Sequence, residues 1–367
     1  MQDTEEISAR HLPPMCGFNL LEKFCYTPEH PKGLPFCEWD FDFMAAHGFN
    51  FARLPLDYRC WTTDLQGVRR QIDGAVLDEI AAAVEMGRRR NIHVCVCMHR
   101  APGYCINAPE SEPYNLWTHA IAYENFVRHW EALARRLADY DNCHCSFNLL
   151  NEPPSYGRRS FSPYSHRRAI ELAAIFIREV TAERLIICDG NHWGQSPSPE
   201  LIDLGVAQSM RGYVPFRVTH YKAQWLGVPQ WLWPPPQWPL RKGRLLNWLT
   251  GGPCDRRSLD RKIYQPWRDL QARGVGVHCG EMGVYNRTPP DVTYAFLEDL
   301  LSIMTANRWG WALWNLRGSF GPLDNGRAGV ATENCDGHQL DRQMLDLLKR
   351  HLPKQGRWIC DGPSPTP

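Results

Sequence analysis

The stretch Ser146–Pro154, which reads Ser-Phe-Asn-Leu-Leu-Asn-Glu-Pro-Pro, constrains the fold of this chain more than any other. The run Phe147–Leu150 has the character of a strand that is buried on both faces, as strands inside a parallel barrel are. This strand must end at Pro153 and Pro154, because proline has no amide hydrogen to donate to a sheet. Glu152 therefore stands at the C-terminal end of a predicted buried strand, where (β/α)8 barrels carry their functional groups.

A second apolar strand pattern also ends on a glutamate. Val275–Cys279 leads into Glu281, within the run Gly-Glu-Met-Gly. Two carboxylates at strand ends are the minimum equipment for cleaving a glycosidic bond, because one protonates the leaving oxygen and the other attacks or activates water. Either glutamate alone is more simply explained as an ion-pair partner, so the hypothesis depends on the pair.

Short apolar segments alternate with amphipathic helical patterns, which predicts an α/β fold built as a single-domain (β/α)8 TIM barrel. A length of 367 residues suits such a barrel. The absence of a Gly-x-Gly-x-x-Gly fingerprint favours a barrel over a nucleotide-binding sheet. The predicted domain is 1–367, with a short N-terminal extension over 1–14 and a proline-rich tail over 361–367. The eight predicted strands are 15–20, 50–55, 92–98, 146–150, 185–188, 217–221, 275–279 and 309–314.

The overall charge of the chain bears on which classes of partner it can bind. The formal net charge is +1, which gives no indication of binding to nucleic acid or to an anionic membrane surface. No apolar run is long enough to span a bilayer. The first ten residues are acidic and polar and lack the features of a signal peptide, so we expect a cytoplasmic protein or one whose leader has been removed. We also expect a monomer.

The cysteines do not predict a metal site. The 14 cysteines are too sparse for a disulfide scaffold. The pairs Cys95-x-Cys97 and Cys143-His144-Cys145 lack a second ligand pair at a recognisable spacing. We therefore predict no metal and no other cofactor. Cysteines within apparent strands are expected to be buried free thiols, and these are Cys95, Cys97, Cys145, Cys188 and Cys279.

Tryptophan is abundant, with 15 residues, and several lie in the stretch 225–238 after the sixth predicted strand. Three consecutive prolines stiffen this stretch, which we expect at the rim of the barrel mouth. Indole rings stack on sugar rings, so at least one of its tryptophans is expected to contact a sugar. Trp193, after the fifth predicted strand, is a further candidate cleft residue.

The motifs at the strand ends resemble those of glycoside hydrolase family 5, the cellulase and mannanase family of the retaining (β/α)8 clan. The resemblance extends from Gly17 to Leu348, which is nearly the whole sequence. The matching motifs, in the order of the family, are Arg53 in Ala-Arg-Leu-Pro, His99 in Met-His-Arg-Ala-Pro-Gly, Asn151-Glu152-Pro153, His220-Tyr221, Glu281 in Gly-Glu-Met-Gly, and Trp314.

The resemblance implies a role for each matching residue. Glu152 is implied to be the general acid/base and Glu281 the nucleophile. The supporting roles are Arg53 and Tyr221 bonding to Glu281, Asn151 contacting the sugar 2-hydroxyl, His99 and His220 orienting substrate or the glutamates, and Trp314 stacking beneath the sugar. For Glu152 to begin as an acid its pKa must be raised, and burial and the charge of Glu281 both act in that direction.

Several alternatives stay open from the sequence. An endo-β-1,4-glucanase acting on a β-linked polysaccharide or oligosaccharide is the first choice, because cellulases are the commonest activity of the family. A β-mannanase or an exo-acting β-glycosidase is the rival within the family. A catalytically inactive carbohydrate-binding barrel would be expected to have lost one of the two glutamates. A metal-dependent barrel hydrolase usually needs a His-x-His on an early strand, where this chain has Gly-Phe-Asn-Leu.

Overall fold

Eight parallel strands close into a barrel in the order of the sequence. The computed structural model describes residues 7–62, 71–107, 112–240 and 255–353. The first strand pairs with both the second and the eighth, which closes the sheet and confirms the predicted (β/α)8 TIM barrel. The strands are β1 (Cys16–Asn19), β2 (Phe51–Asp57), β3 (His93–Arg100), β4 (Cys145–Asn148), β5 (Ile186–Asp189), β6 (Ala207–Gly212), β7 (Val277–Met282) and β8 (Gly310–Leu313).

Helices surround the barrel, and none of those described is long and apolar enough to cross a membrane. The longer helices are Glu38–Ala46, Gly74–Arg88, Ala120–Arg136, Pro163–Val180, Gln265–Gln271, Pro290–Ala306 and Arg342–Arg350. The short helical segments are Tyr58–Trp61, Arg158–Ser160, Asn191–Gly194, Pro199–Leu204, Phe216–Thr219, Gln224–Leu226, Gln230–Leu232, Arg256–Leu259 and Asp260–Tyr264. A separate antiparallel pair consists of β9 (Glu333–Cys335) and β10 (His338–Leu340).

The N-terminal segment packs against the end of the barrel where the strands begin. The carbonyl of Ala9 accepts a hydrogen bond from the Gly276 amide, and that of Met15 accepts one from Trp311. Apolar side chains fill the barrel interior here, and they are Ile7, Leu12, Met15, Phe51, Cys95, Leu185, Ile187, Ala207 and Ala312. The strand cysteines predicted to be buried free thiols are so in the structure.

The sixth strand is not where the sequence predicted it. β6 is Ala207–Gly212, whereas the predicted segment 217–221 overlaps the short helix Phe216–Thr219 and the turn that follows it. The β-branched and aromatic residues in 217–221 are typical of a strand, while β6 itself reads as polar. Gln208 is fully buried in β6, but its side chain exchanges two hydrogen bonds of 2.8 Å with the backbone of Ser198. Polar side chains with partners can thus occupy interior positions that a hydrophobic pattern assigns to apolar ones.

Candidate active site

Glu281 lies in β7 and is surrounded by groups that complement a negative charge. Its Oε1 accepts a hydrogen bond of 2.6 Å from Nη1 of Arg53 and lies 3.2 Å from Nη2 of Arg211. Its Oε2 accepts a hydrogen bond of 3.3 Å from the hydroxyl of Tyr213. Only 3% of Glu281 is exposed. A buried carboxylate is retained in a protein when it is paired and hydrogen-bonded in this manner.

Arg53 lies in β2 beneath the barrel mouth, where the resemblance implied it. Its guanidinium is fully buried and contacts Glu281 as described above. Further bonds run to side-chain oxygens of three asparagines, at 2.9 Å from Asn19, 2.9 Å from Asn148 and 2.8 Å from Asn151. These contacts fix the plane of the guanidinium, so the position of the Glu281 carboxylate is fixed as well.

Glu152 follows β4 in a backbone conformation that favours glycine, with a φ of 47°. This conformation costs a non-glycine residue roughly 1–3 kcal/mol, so the surroundings must hold it. The Glu152 amide donates a hydrogen bond of 2.8 Å to Oδ2 of Asp189, and its carbonyl accepts one of 2.6 Å from the Tyr104 hydroxyl. The side-chain Oε1 accepts a bond of 3.0 Å from Nε of Arg211. Backbone and side chain are therefore both anchored.

The environment of Glu152 favours its neutral form. Burial, followed by the negative charge of Glu281, raises the pKa of Glu152 to about 8. Arg211 acts in the opposite direction, and Asp189 partly offsets Arg211. Glu152 is therefore protonated at neutral pH, as a group that delivers a proton to a leaving oxygen must be.

Asn151 lies between the two arginines. Its Oδ1 accepts one hydrogen bond of 2.8 Å from Arg53 and another of 2.8 Å from Arg211. Its buried Nδ2 has no hydrogen-bond partner within the described part of the chain. Asn151 thus presents a donor that a sugar hydroxyl can satisfy.

His99 and Trp314 form an aromatic group with Phe24 at the ends of β3 and β8. The ring of His99 lies 4.6 Å from that of Phe24 and 5.7 Å from that of Trp314. Burial lowers the pKa of His99 well below its ordinary value, so the imidazole is neutral. Its Nε2 lies 3.1 Å from the side-chain amide nitrogen of Asn107, and neutral Nε2 can accept that bond.

Tyr221 is not the tyrosine that contacts the predicted nucleophile. That contact belongs to Tyr213, directly after β6, because the strand precedes the predicted segment. The ring of Tyr221 instead lies 6.1 Å from that of Trp233. His220 packs its ring against Tyr213 at 5.0 Å, so its contact with the glutamates runs through that phenol.

Trp193 lies on the Glu152 side of the barrel mouth. Its amide donates a hydrogen bond of 2.8 Å to the carbonyl of Pro153, and the guanidinium of Arg158 lies 5.2 Å from its ring. The ring lines a cavity of about 400 Å³. The other lining residues are Tyr104, Ile106, Pro154, Arg158 and Arg159.

The tryptophans of the segment 225–238 do not share one environment. Trp238 is buried, and its Nε1 donates a hydrogen bond of 2.8 Å to Asp299, so it belongs to the core. Trp225 is 58% exposed and packs against Tyr285, with ring centres 4.8 Å apart. Trp231 is 82% exposed. The exposed members therefore remain available for the predicted contact with sugar.

Comparison with known proteins assigns the family. The cellulase model (glycosyl hydrolase family 5) matches residues 38–319. The chain belongs to this family. Endoglucanase C of Acetivibrio thermocellus is 25% identical over 332 residues, which are 85% of this chain and 90% of that protein. A beta-xylosidase of Phanerodontia chrysosporium is 25% identical over 89% of this chain and 64% of its own length. A crystal structure described as a glycoside hydrolase is 38% identical, covers 93% of this chain and 99% of its own, and has a TM-score of 0.84.

As a glycoside hydrolase of family 5, the protein has a site that contains residues the sequence reasoning did not identify. These residues are Arg211, Asp189, Tyr213 and Tyr104. The Asp189 carboxylate ends β5 and could have been noticed by its position alone, since Glu152 and Glu281 were found that way. Arg211 had no such signal, because its strand was not identified.

The arrangement of possible metal ligands is a further feature of the site. Among them, no group of three or more His, Cys, Asp or Glu side chains is arranged to hold a metal ion. The charges of the site are instead balanced between side chains, with Arg53 and Arg211 against Asp189 and Glu281.

Proposed function

We propose that this glycoside hydrolase is a retaining endo-β-1,4-glucanase, with Glu152 as the general acid/base and Glu281 as the nucleophile. The observation that carries the proposal is that both carboxylates contact one guanidinium, that of Arg211, at 3.0 Å and 3.2 Å. They therefore face the same small space, and one of them is held protonated while the other contacts two arginines. A retaining hydrolase requires such a pair, with about 5–5.5 Å between its carboxyl groups.

In the first step, the Glu281 carboxylate attacks the anomeric carbon while the glycosidic carbon–oxygen bond breaks. Glu152 gives its proton to the departing oxygen, so the leaving sugar departs as a neutral alcohol. The product is a glycosyl ester on Glu281. The raised pKa of Glu152 supports this role, because the group carries its proton at neutral pH.

In the second step, the ionised Glu152 takes a proton from water while the water oxygen attacks the anomeric carbon. The ester bond to Glu281 breaks, and both carboxyl groups return to their starting states. Positive charge develops on the sugar ring in both steps. The Nδ2 donor of Asn151 is available for the 2-hydroxyl, a bond that strengthens in such a transition state.

The choice of a β-1,4-glucan is supported by the endoglucanase relatives, which match most of the chain. An aromatic ring beneath the cleavage point is a further requirement of a glucan site, and Trp314 follows β8 with its ring among Phe24 and His99. The partner we propose is a β-linked polysaccharide or oligosaccharide.

An exo-acting β-glycosidase is the second candidate, and two observations favour it. A beta-xylosidase and a cellodextrinase are among the relatives. In addition, Trp193, Arg158 and Arg159 line a cavity together with Pro154, which lies two residues after Glu152 in the chain. A β-mannanase would use the same glutamates and stays the alternative for the backbone sugar.

The deciding experiment is activity on carboxymethyl cellulose, barley β-glucan, glucomannan, galactomannan and aryl β-glycosides. An endo-glucanase lowers the viscosity of the glucans much faster than it releases reducing ends. Activity confined to aryl glycosides or short oligosaccharides would replace the endo assignment with the exo one. Hydrolysis of galactomannan alone would replace glucan with mannan. The Glu281→Gln protein serves as the blank, and a wild-type protein no better than this blank would indicate an inactive sugar-binding barrel.

A further inference from the structure

We propose that Arg211 and Asp189 form a positioning pair that selects which oxygen of Glu152 carries the transferable proton and sets the pH range in which Glu152 acts as an acid. The proposal rests on the acid/base function proposed above for Glu152. Neither residue was predicted from the sequence, and both are fully buried at the barrel mouth.

The guanidinium of Arg211 is held on all three of its nitrogens. Nε donates a hydrogen bond of 3.0 Å to Oε1 of Glu152. Nη2 donates one of 2.8 Å to Oδ1 of Asn151 and another to Oδ2 of Asp189. Nη1 donates one of 3.1 Å to the hydroxyl of Ser209. The plane of the guanidinium is therefore fixed, and Oε1 of Glu152 faces the Nε–H of Arg211.

A carboxyl oxygen that faces an N–H donor is a poor place for a proton, since two donors would then point at each other. Oε1 of Glu152 is in this position. Oε2 makes no hydrogen bond to any described residue, which leaves it for the proton and for the leaving oxygen. Arg211 thus converts a symmetric carboxyl group into one with a defined proton-bearing atom, which is the orientation that general acid catalysis requires.

Asp189 compensates the charge that Arg211 brings. Its Oδ2 accepts from Arg211 and from the Glu152 amide, while its Oδ1 accepts a bond of 3.1 Å from Asn148. A lone arginine beside Glu152 would favour the ionised acid and so prevent proton donation at neutral pH. Asp189 allows Arg211 to orient the carboxyl group without removing its proton.

The fold leaves space for the arginine side chain through two glycines. A Cβ on Gly194 would lie 2.6 Å from Cγ of Arg211, and one on Gly280 would lie 3.1 Å from its Nη1. Gly194 also has a φ of 72°, which disfavours any replacement. Segments that follow β5 and form β7 are thus shaped around Arg211 as well as around the glutamates.

Among the described residues, the remaining titratable groups near Glu152 are Glu281, Tyr104 and Tyr213. Glu281 of β7 raises the pKa of Glu152, in addition to the effects of Arg211 from β6 and Asp189 from β5. Tyr104 donates to the Glu152 backbone, and Tyr213 follows β6. The phenol pKa values of both are raised well above the ordinary value, first by burial, so these groups stay neutral while Glu152 titrates.

The test is the pH dependence of kcat/KM, whose alkaline limb reports the pKa of the acid in the free enzyme. In the wild type we expect this limb near pH 8. In Asp189→Asn the positive charge of Arg211 is uncompensated, so the limb should move down by about one pH unit. In Arg211→Gln the positive charge that favours ionised Glu152 is gone, so the limb should move up by about one pH unit. In the same variant kcat should fall on the order of 10²-fold, because the carboxyl group is no longer oriented.

Further variants separate this role from a structural one. Arg211→Lys keeps the positive charge but has no Nε, so it should lower kcat about tenfold and leave the limb in place. The double variant Asp189→Asn with Arg211→Gln removes both charges, and its limb should lie between those of the single variants. Arg184, a buried arginine that donates to the carbonyls of Cys145 and Leu137, is the matched control. Arg184→Gln should lower Tm with no shift of the limb.

The inference is overturned if the limbs of Asp189→Asn and Arg211→Gln stay at the wild-type pH or move in the same direction. If one of them does not fold, the double variant and Arg211→Lys still decide, because a limb displaced by a full pH unit from that of the wild type in either would contradict the proposal. Glu152→Gln keeps this failure distinct from failure of the proposed function. An inactive wild type, or an active Glu152→Gln, would remove the acid/base assignment itself.

Discussion

The two ends of the barrel interior are built from the same strands but hold opposite chemistry. Where the strands begin, Phe51, Ile187 and Ala312 pack with Leu12 and Met15 in an apolar cluster. Where the strands end, the interior contains a network of buried or largely buried charged groups. Its members include Arg53, Arg211, Asp189, Glu152 and Glu281.

The difference between the apolar end and the charged end shows what each contributes to stability and to activity. Burying apolar side chains stabilises the fold by roughly 1.5–3 kcal/mol for each large residue. Burying charges costs free energy unless each is paired, and a buried pair is often no more stabilising than an apolar replacement. Stability alone therefore does not explain the charged end, whereas a catalytic role does. Substitutions at the two ends should accordingly separate activity from stability.

The largest expected effect is at the charged end. Glu281→Ala should lower kcat by at least about 10⁴-fold, because no nucleophile remains to form the glycosyl ester. Azide should fill the space, attack the anomeric carbon and restore part of the activity with a glycosyl azide of inverted configuration. The measurement is the rate on an aryl β-glycoside with and without azide, together with the NMR configuration of the product.

Glu152→Ala is the matched control for that experiment. Azide should rescue it through the second step, and the glycosyl azide should retain the configuration of the substrate. Identical products from the two variants would contradict the separate roles of the glutamates. Wild-type activity in Glu281→Ala would remove this residue from the site.

The opposite pattern is expected at the apolar end. Phe51 is fully buried there, in contact range of His93 and His278. Phe51→Ala should lower the free energy of unfolding by about 3–5 kcal/mol, through lost burial and the cavity left behind. The rate per folded molecule should stay close to that of the wild type. Thermal unfolding would measure the loss of stability, and active-site titration would give the rate per folded molecule. A large loss of kcat in fully folded protein would contradict the expectation that the apolar end serves stability and not activity.

The sequence predicted the apolar end and most of the strands, because these follow from alternation of apolar segments with helices. Seven of the eight strands lie where predicted to within a few residues. The failure at β6 has a physical cause. This strand carries Gln208, Ser209 and Arg211 at buried positions, where hydrogen bonds replace apolar contacts. A hydrophobic pattern cannot indicate a strand whose buried side chains are satisfied by partners distant in sequence.

The charged end was predictable only in part, because some of its residues are placed by partners that are distant in sequence. Glu152, Glu281 and Arg53 were found because short motifs mark them at strand ends. Arg211 and Tyr213 depend on the register of β6 against β7, where Arg211 lies opposite Glu281 after an irregularity. Such a register is fixed by tertiary pairing, and nothing local in the sequence specifies it.

A smaller effect should come from the tyrosine that contacts Glu281. Tyr213→Phe removes a hydrogen bond of 3.3 Å to Oε2 and should lower kcat about tenfold, the value of one bond to a charged group. Tyr221→Phe is the matched control, since Tyr221 lies beside Trp233 instead. Steady-state kinetics of the two variants would show a loss in the first and none of that size in the second. A loss confined to Tyr221→Phe would return the role to the residue that the sequence predicted.

The smallest effect should come from Trp193, which lies outside the charged network and lines a cavity with Pro154, two residues after Glu152 in the chain. An acid/base residue stands on the leaving-group side of the bond it cleaves, so we expect Trp193 to stack on a sugar there. Aromatic stacking contributes about 0.5–1.5 kcal/mol, so Trp193→Ala should raise KM about 2- to 10-fold for oligosaccharides that extend past the cleavage point. KM for an aryl glycoside, which has no sugar on that side, should change less. Phe176→Ala is the control, because Phe176 is a partly exposed aromatic residue on the helix Pro163–Val180 and does not line this cavity. Equal increases in KM for both kinds of substrate would mean that Trp193 supports the fold of its loop and does not bind a sugar on the leaving-group side.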